Sequence, residues 1–169
     1  TSRILPEGES ESFTYDLVGN VLTHTDFNGD ITTNTYDSNN RLLAQAYADG
    51  SSESFTYDDT GLLLESRQIA ADTTERVITK TYDARQRLLN EEKANGDRIN
   101  YGYDDGGNII RRTTRQSDGT EHIVTYTYDA LNRLATTTDH NNQTTTNSYD
   151  AVGNLERIWA QPIHTVLQP

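Results

Sequence analysis

The heptapeptide Tyr15-Asp16-Leu17-Val18-Gly19-Asn20-Val21 is the first copy of a motif that runs the length of the chain. Its Tyr-Asp pair returns at Tyr36-Asp37, Tyr57-Asp58, Tyr82-Asp83, Tyr103-Asp104, Tyr128-Asp129 and Tyr149-Asp150. Successive tyrosines lie 21, 21, 25, 21, 25 and 21 residues apart. A period of that size marks a repeat array in which each copy is one supersecondary unit. The expected organisation is a single array of about seven copies over residues 1–169.

Composition matters here because it nearly argues the other way. Leu, Ile, Val and Phe together fill 33 of 169 positions, and the net charge is -12 at pH 7. Those values border on the composition of disordered chains. A register kept through seven copies overrides that prior, and the 25 threonines and 10 tyrosines favour strands. With no cysteine there is no disulfide framework and no thiolate metal site. The acidic balance argues against binding a nucleic-acid backbone. No apolar run is long enough to span a membrane as a helix, and no signal peptide is recognisable. The lack of Met, even at position 1, and the lack of polar end repeats suggest a piece of a longer array.

Numbered from each tyrosine as position 0, position 4 is Gly19, Asn40, Gly61, Gln86, Gly107, Asn132 and Gly153. Gly and Asn reach positive φ at low cost, so a turn ends there, and Gln86 departs from the pattern. Asp followed three residues later by Gly predicts a type I turn. Position 6 is always aliphatic, from Val21 to Leu155. A second turn is predicted at positions 13 and 14, as in Asn28-Gly29, Asp49-Gly50, Asn95-Gly96 and Asn141-Asn142. In the 25-residue copies it moves to Asp72-Thr73 and Asp118-Gly119, so the four added residues divide two and two. Because side chains alternate with period 2, such an insertion changes no residue's face. Each copy therefore reads as one β-hairpin with strands of about 7 to 10 residues. Pro6-Glu7-Gly8 reads as a further hairpin turn, and Pro162-Ile163 occupies the last turn slot.

No face of these strands is apolar along its length, as a sandwich would need. Small hydroxyl residues line one face, and the aromatic and aliphatic residues gather along the Tyr-Asp edge. The predicted fold is all-β: tandem hairpins forming a single-layer antiparallel sheet, wet on both sides.

Tyr-Asp-x-x-Gly-Asn-Leu followed by a Gly turn, together with the Arg variant at position 5 (Arg41, Arg87, Arg133), resembles the Rhs or YD repeat. The resemblance covers roughly residues 6 to 161. It implies a curved sheet that is a segment of a spiral hollow shell, as in bacterial polymorphic toxins, the B and C components of insecticidal toxin complexes, and teneurin-like proteins. It implies a secreted or extracellular setting, delivery by a bacterial system, and as partners the remaining shell repeats and an enclosed polypeptide. The Rhs core segment with its self-cleavage site has no counterpart here, so no catalytic residue carries over.

One Asp per repeat leaves neighbouring carboxylates on separate turns, short of the roughly six to eight oxygens that calcium takes. An Asp accepting backbone N–H groups within its own turn accounts for the motif better. The tyrosines read as rings that stack between hairpins and hold register. His24, His122, His140 and His164 show no metal-ligand spacing. Asp139-His140 lies at a hairpin tip. Glu91 and Glu92 fall on opposite faces of one strand and cannot flank one bond. No nucleophile elbow or phosphate loop is present. The expectation is therefore no enzyme, no cofactor, and a structural repeat motif of Tyr15, Asp16, Gly19, Tyr36, Asp37, Tyr57, Asp58, Gly61, Tyr82, Asp83, Tyr103, Asp104, Gly107, Tyr128, Asp129, Tyr149, Asp150 and Gly153. Two alternatives remain: an adhesion module binding carbohydrate or protein through residues such as Tyr101 and Tyr126, and an excised piece whose open edges pair with one another.

Overall fold

The computed structural model describes residues 2–4 and 10–160. The turn expected at Pro6-Glu7-Gly8, the slot at Pro162-Ile163, and His164 lie outside them. The chain divides into two units, Thr1–Lys80 and Thr81–Pro169.

The first unit holds β1 (Ser2–Ile4), β2 (Ser10–Tyr15), β3 (Val21–Thr25), β4 (Ile31–Tyr36), β5 (Leu42–Ala46), β6 (Ser52–Tyr57) and β7 (Leu63–Ile69). It also holds most of β8 (Glu75–Tyr82). Each strand pairs antiparallel with the next, from β1–β2 through β7–β8. The second unit continues with β9 (Leu88–Lys93), β10 (Arg98–Tyr103), β11 (Ile109–Arg115), β12 (Glu121–Tyr128), β13 (Leu134–Thr138), β14 (Thr144–Tyr149) and β15 (Leu155–Ala160). These too pair antiparallel in chain order. No helix occurs among the described residues. The fold is all-β, as expected, and built of tandem hairpins.

Among the described residues none is buried, polar or apolar. Apolar burial, the usual main driving force of folding, is therefore spread thinly. Hydrogen bonding and turn chemistry carry an unusual share of the specificity.

Both kinds of turn are built alike wherever they fall among the described residues. At the Tyr-Asp end, the Gly19 N–H donates to the Asp16 carbonyl and the Asp16 N–H donates to the Asn20 carbonyl. At the other end, Gly29 donates to Asp26 and Asp26 to Asp30 in the same way. This is a three-residue loop, a turn followed by one left-handed residue. Of each predicted pair at positions 13 and 14, only the second residue is left-handed, as at Gly29 and Asn142. The turn is therefore one residue wider than a two-residue hairpin. The strands are correspondingly shorter than expected, five to eight residues apart from the three of β1. Gln86, the exception by residue type, has the same backbone as its counterparts, with φ 62°.

The two-and-two insertion is borne out. β5 and β6 have five and six residues, whereas β7 and β8 have seven and eight. β11 and β12 repeat those longer lengths.

One feature went unpredicted. Tyr15 pairs with Val21 but Thr14 pairs with Thr23, so Leu22 is an extra residue. The same β-bulge precedes Tyr36, Tyr57, Tyr103, Tyr128 and Tyr149. A bulge bends its strand and raises the local twist. Its recurrence at one position makes it part of the repeat.

Candidate functional site

The repeated feature with the densest chemistry is the Tyr-Asp turn, where each aspartate ties down its own loop. Oδ1 of Asp37 accepts the N–H groups of Asn39 and Arg41 at 2.8 and 2.9 Å. Asp16, Asp58, Asp83, Asp129 and Asp150 accept the corresponding pair. Asp104 accepts Asn108 N–H at 2.8 Å. The glycines Gly19, Gly61, Gly107 and Gly153 close these loops with φ between 92° and 97°.

Oδ2 reaches the side chain of position 5. It accepts from Arg41, Arg87 and Arg133 Nε at 2.6 to 2.7 Å. Asn20, Asn108 and Asn154 offer Nδ2 instead, at 2.8 to 3.0 Å. Where position 5 is Leu62, the Thr60 hydroxyl donates to Asp58.

These bonds hold the carboxyls below the ordinary aspartate range. The cause is first the Arg41, Arg87 or Arg133 backbone N–H for Asp37, Asp83 and Asp129. For Asp104 and Asp150 it is first the side-chain amide of Asn108 or Asn154. For Asp58 it is the Thr60 hydroxyl. At Asp16 desolvation pushes upward, and the bonds from Asn20, Val18 and Gly19 outweigh it.

Position 5 also reaches the next repeat. Arg41 Nη1 donates to the Asp58 carbonyl at 2.9 Å, and its guanidinium lies 4.8 Å from the centre of the Tyr57 ring. Arg87 does the same to Asp104 and Tyr103, and Arg133 covers Tyr149 at 4.4 Å. Such cation–π contacts favour Arg over aromatic faces. Asn20 and Asn108 donate instead to Asn40 and Asn132.

The tyrosines close the gap from the other side. The β3–β4 ladder ends at Thr23–Thr33, short of the turn. Beyond it, the Val21 carbonyl accepts the Tyr36 hydroxyl at 3.1 Å and Asn34 Nδ2 at 2.9 Å. Tyr57, Tyr103, Tyr128 and Tyr149 donate likewise to Leu42, Leu88, Ile109 and Leu134. Each hydroxyl thus replaces a missing rung between hairpins. Partial burial raises Tyr103 and Tyr128 above the ordinary phenol range, so both donate as neutral groups. Tyr82 is half-buried at the end of β8, and Tyr15, at the end of β2, is exposed.

His24 bonds Glu11 at 2.9 Å and stacks on Phe13. His122 and His140, eighteen residues apart, stack at 4.2 Å between ring centres, a contact no sequence spacing indicated. Asp139 caps its own hairpin tip through Asn141 and Gln143. Glu91 and Glu92 pair with Ile99 and Arg98, successive residues of β10, and so fall on opposite faces. Tyr101 and Tyr126 are half-buried on β10 and β12.

Sequence reading missed the role of position 5. Its alternation of Asn and Arg around a single Leu was visible, but only as a variant of the motif. Nothing local marks it as a contact to the following repeat.

No match was found among curated protein sequences. The RHS Repeat family profile matches residues 36–75 and 128–158. Among solved structures, the chain resembles one of TcdB2-TccC3-Cdc42 with TM-score 0.74 and 23% identity, over 87% of this chain and 9% of that one. It resembles TcdB2-TccC3 with the same score and identity, over 86% and 9%. A Photorhabdus luminescens Tc holotoxin pore gives TM-score 0.57 and 23% identity, over 90% and 11%. The chain spans about a tenth of the length of those chains, and at these identities the likeness is one of fold. The resemblance to the Rhs/YD-repeat family, carried in the sequence by the Tyr-Asp motifs, is borne out by these matches.

Proposed function

We propose that this chain is a non-catalytic segment of an Rhs/YD-repeat shell, and that the parent protein encloses a polypeptide. The carrying observation is the absence of any buried residue among those described. A single layer, hydrogen-bonded strand to strand and wet on both faces, separates two compartments without forming a core of its own. The mechanism is exclusion: the wall bars proteases and partners from the polypeptide. Its hydroxyl-rich face, including Thr14, Thr35, Thr56 and Thr127, offers a folding chain little apolar surface.

The tyrosine rungs and arginine clamps suit that task. They lie where the main-chain ladder lapses, which is where a wall would otherwise part. The partners are the remaining repeats of the parent and the enclosed polypeptide, in a secreted toxin-like assembly. The motif residues from Tyr15-Asp16 to Tyr149-Asp150 act as one structural array over 1–169.

The test is excision of two whole repeats, residues 36–81, from the full-length parent. Limited proteolysis should then cut the enclosed polypeptide faster than in the intact protein. Equal protection would sink the reading.

A further inference from the structure

A long and a short hairpin meet at a step in the second unit. β11 and β12 have seven and eight residues, and β13 and β14 have five and six. The β12–β13 ladder therefore stops at Thr125–Thr138, while residues 121–124 of β12 run on in pairing with β11. Beside them opens a hollow of about 260 Å³, with Glu121, Ile123, Asp139 and His140 in its lining.

One side-chain contact spans this step. His140, at the tip of the β13–β14 hairpin, stacks on His122 of β12 with ring centres 4.2 Å apart and planes tilted by 24°. His140 is exposed and His122 half-buried, so water and small ions reach the pair. Its surroundings are acidic. Asp118 lies within electrostatic reach of His122, and Asp139 of His140. Glu121 precedes His122 in the chain, and its cationic partner Arg115 stands off at 3.9 Å.

We propose that His122 and His140 together bind one divalent transition-metal ion of the Zn²⁺ and Cu²⁺ class, and that the ion clips β12 to the tip of the neighbouring hairpin. Neutral imidazole is the ligand these ions share. Two Zn–N bonds of about 2.0 to 2.1 Å at a tetrahedral angle set their nitrogens about 3.3 Å apart. Rings already held 4.2 Å apart come to that separation by rotation of two side chains, with no movement of the strands. Among the described residues no group of three or more potential ligands occurs, so the two histidines share the ion with water. The neighbouring carboxylates supply the negative potential that draws in a dication.

The ion does at this end of the hairpin what the tyrosine hydroxyl does at the other: it replaces a rung where the main-chain ladder lapses. The pair is hidden in the sequence, because a separation of eighteen residues matches no local ligand spacing and only hairpin pairing closes it. His24 is the contrast. Its ring stacks on Phe13, not on a second imidazole, and one of its nitrogens bonds Glu11. Both ligands belong to the unit Thr81–Pro169, so the site stands apart from the shell reading.

The test is isothermal titration of the full chain with Zn²⁺, alone and in the presence of Mg²⁺. One Zn²⁺ should bind per chain, and a large excess of Mg²⁺, which prefers oxygen ligands, should not displace it. His122→Ala and His140→Ala should each weaken Zn²⁺ binding by about tenfold or more, the loss of one ligand. His24→Ala and His164→Ala should leave it unchanged. His140 is exposed at a hairpin tip, so its variant remains informative if His122→Ala fails to fold. With Cu²⁺ in place of Zn²⁺, electron paramagnetic resonance should show coupling to imidazole nitrogen that His140→Ala reduces. No Zn²⁺ binding would overturn the proposal. So would displacement by Mg²⁺, the mark of an acidic surface only, or binding that survives His140→Ala.

Discussion

At the scale of single residues, the tyrosine hydroxyl is the most economical device in the repeat. Tyr103 lends one O–H to the Leu88 carbonyl at 2.8 Å and keeps its ring under Arg87. Tyr103→Phe keeps the ring and leaves that carbonyl without its rung. The expected loss is about 1 kcal/mol, the usual net worth of a hydrogen bond. Arg87→Ala removes the bonds to Asp83 and the Asp104 carbonyl together with the ring contact. Its expected cost is larger, about 1 to 2 kcal/mol, because the guanidinium is only about a quarter exposed. Urea midpoints of the two variants check both figures, and a Tyr103→Phe midpoint equal to that of the parent would remove the rung from the account. Thr73 points the other way. It is β-branched and held at φ 67°, where an L residue is strained by about 1 to 2 kcal/mol. Thr73→Gly should therefore raise the urea midpoint, and Gln86→Gly should do so to a smaller degree.

At the scale of the element, the hairpin was the most legible part of the sequence. Left-handed residues must be Gly or Asn unless something compels otherwise, so Gly19, Gly61 and Gly153 marked their turns in advance. The move of the second turn to Asp72-Thr73 and Asp118-Gly119 in the longer copies showed how the insertion divides. The bulge at Leu22 and its equivalents was not legible. A bulge is a misfit between two strands, and each strand alone still alternates plausibly. The two adjacent aliphatic residues at positions 6 and 7 of the other copies were its only trace, and Glu156 in the last copy lacks even that. Position 5 was hidden for the same reason: Arg41 acts on Tyr57, sixteen residues away. The pattern of faces makes a prediction of its own. Removing Arg67, Gln68, Arg76 and Val77 together shortens β7 and β8 by two residues each, to the lengths of β5 and β6. Every remaining side chain keeps its face, so the shortened chain should fold with a circular-dichroism melt close to the parent's. Removing Gln68 alone shifts the register by one residue and turns the rest of β7 over. That variant should melt markedly lower. Equal melts for the two deletions would mean that face is not what holds these hairpins in place.

At the scale of the whole molecule, stability should respond to acid through the aspartates acting together. Each Tyr-Asp carboxyl is held below its ordinary range by bonds it accepts in the folded state. Asp26, Asp49, Asp72, Asp118 and Asp139 in the opposite turns are held down in the same way. A carboxyl whose folded pKa is depressed stabilises the fold above its unfolded value, about 3.9 for Asp. That contribution fades as pH falls through the folded pKa. A second effect opposes it at first. The net charge of -12 at pH 7 shrinks toward zero near pH 4.6, which relieves repulsion along the strands. The urea midpoint should therefore hold steady or rise slightly from pH 7 to about 5, and fall below about pH 4. Because the loss is shared by many turns, no single aspartate should account for it. Asp83→Asn can still accept the backbone bonds of its loop but can no longer ionise. In that variant the fall should be shallower by one carboxyl's share and otherwise unchanged. A fall that begins near pH 6, or one that Asp83→Asn abolishes outright, would place the acid sensitivity in some other group and leave the turn aspartates as bystanders.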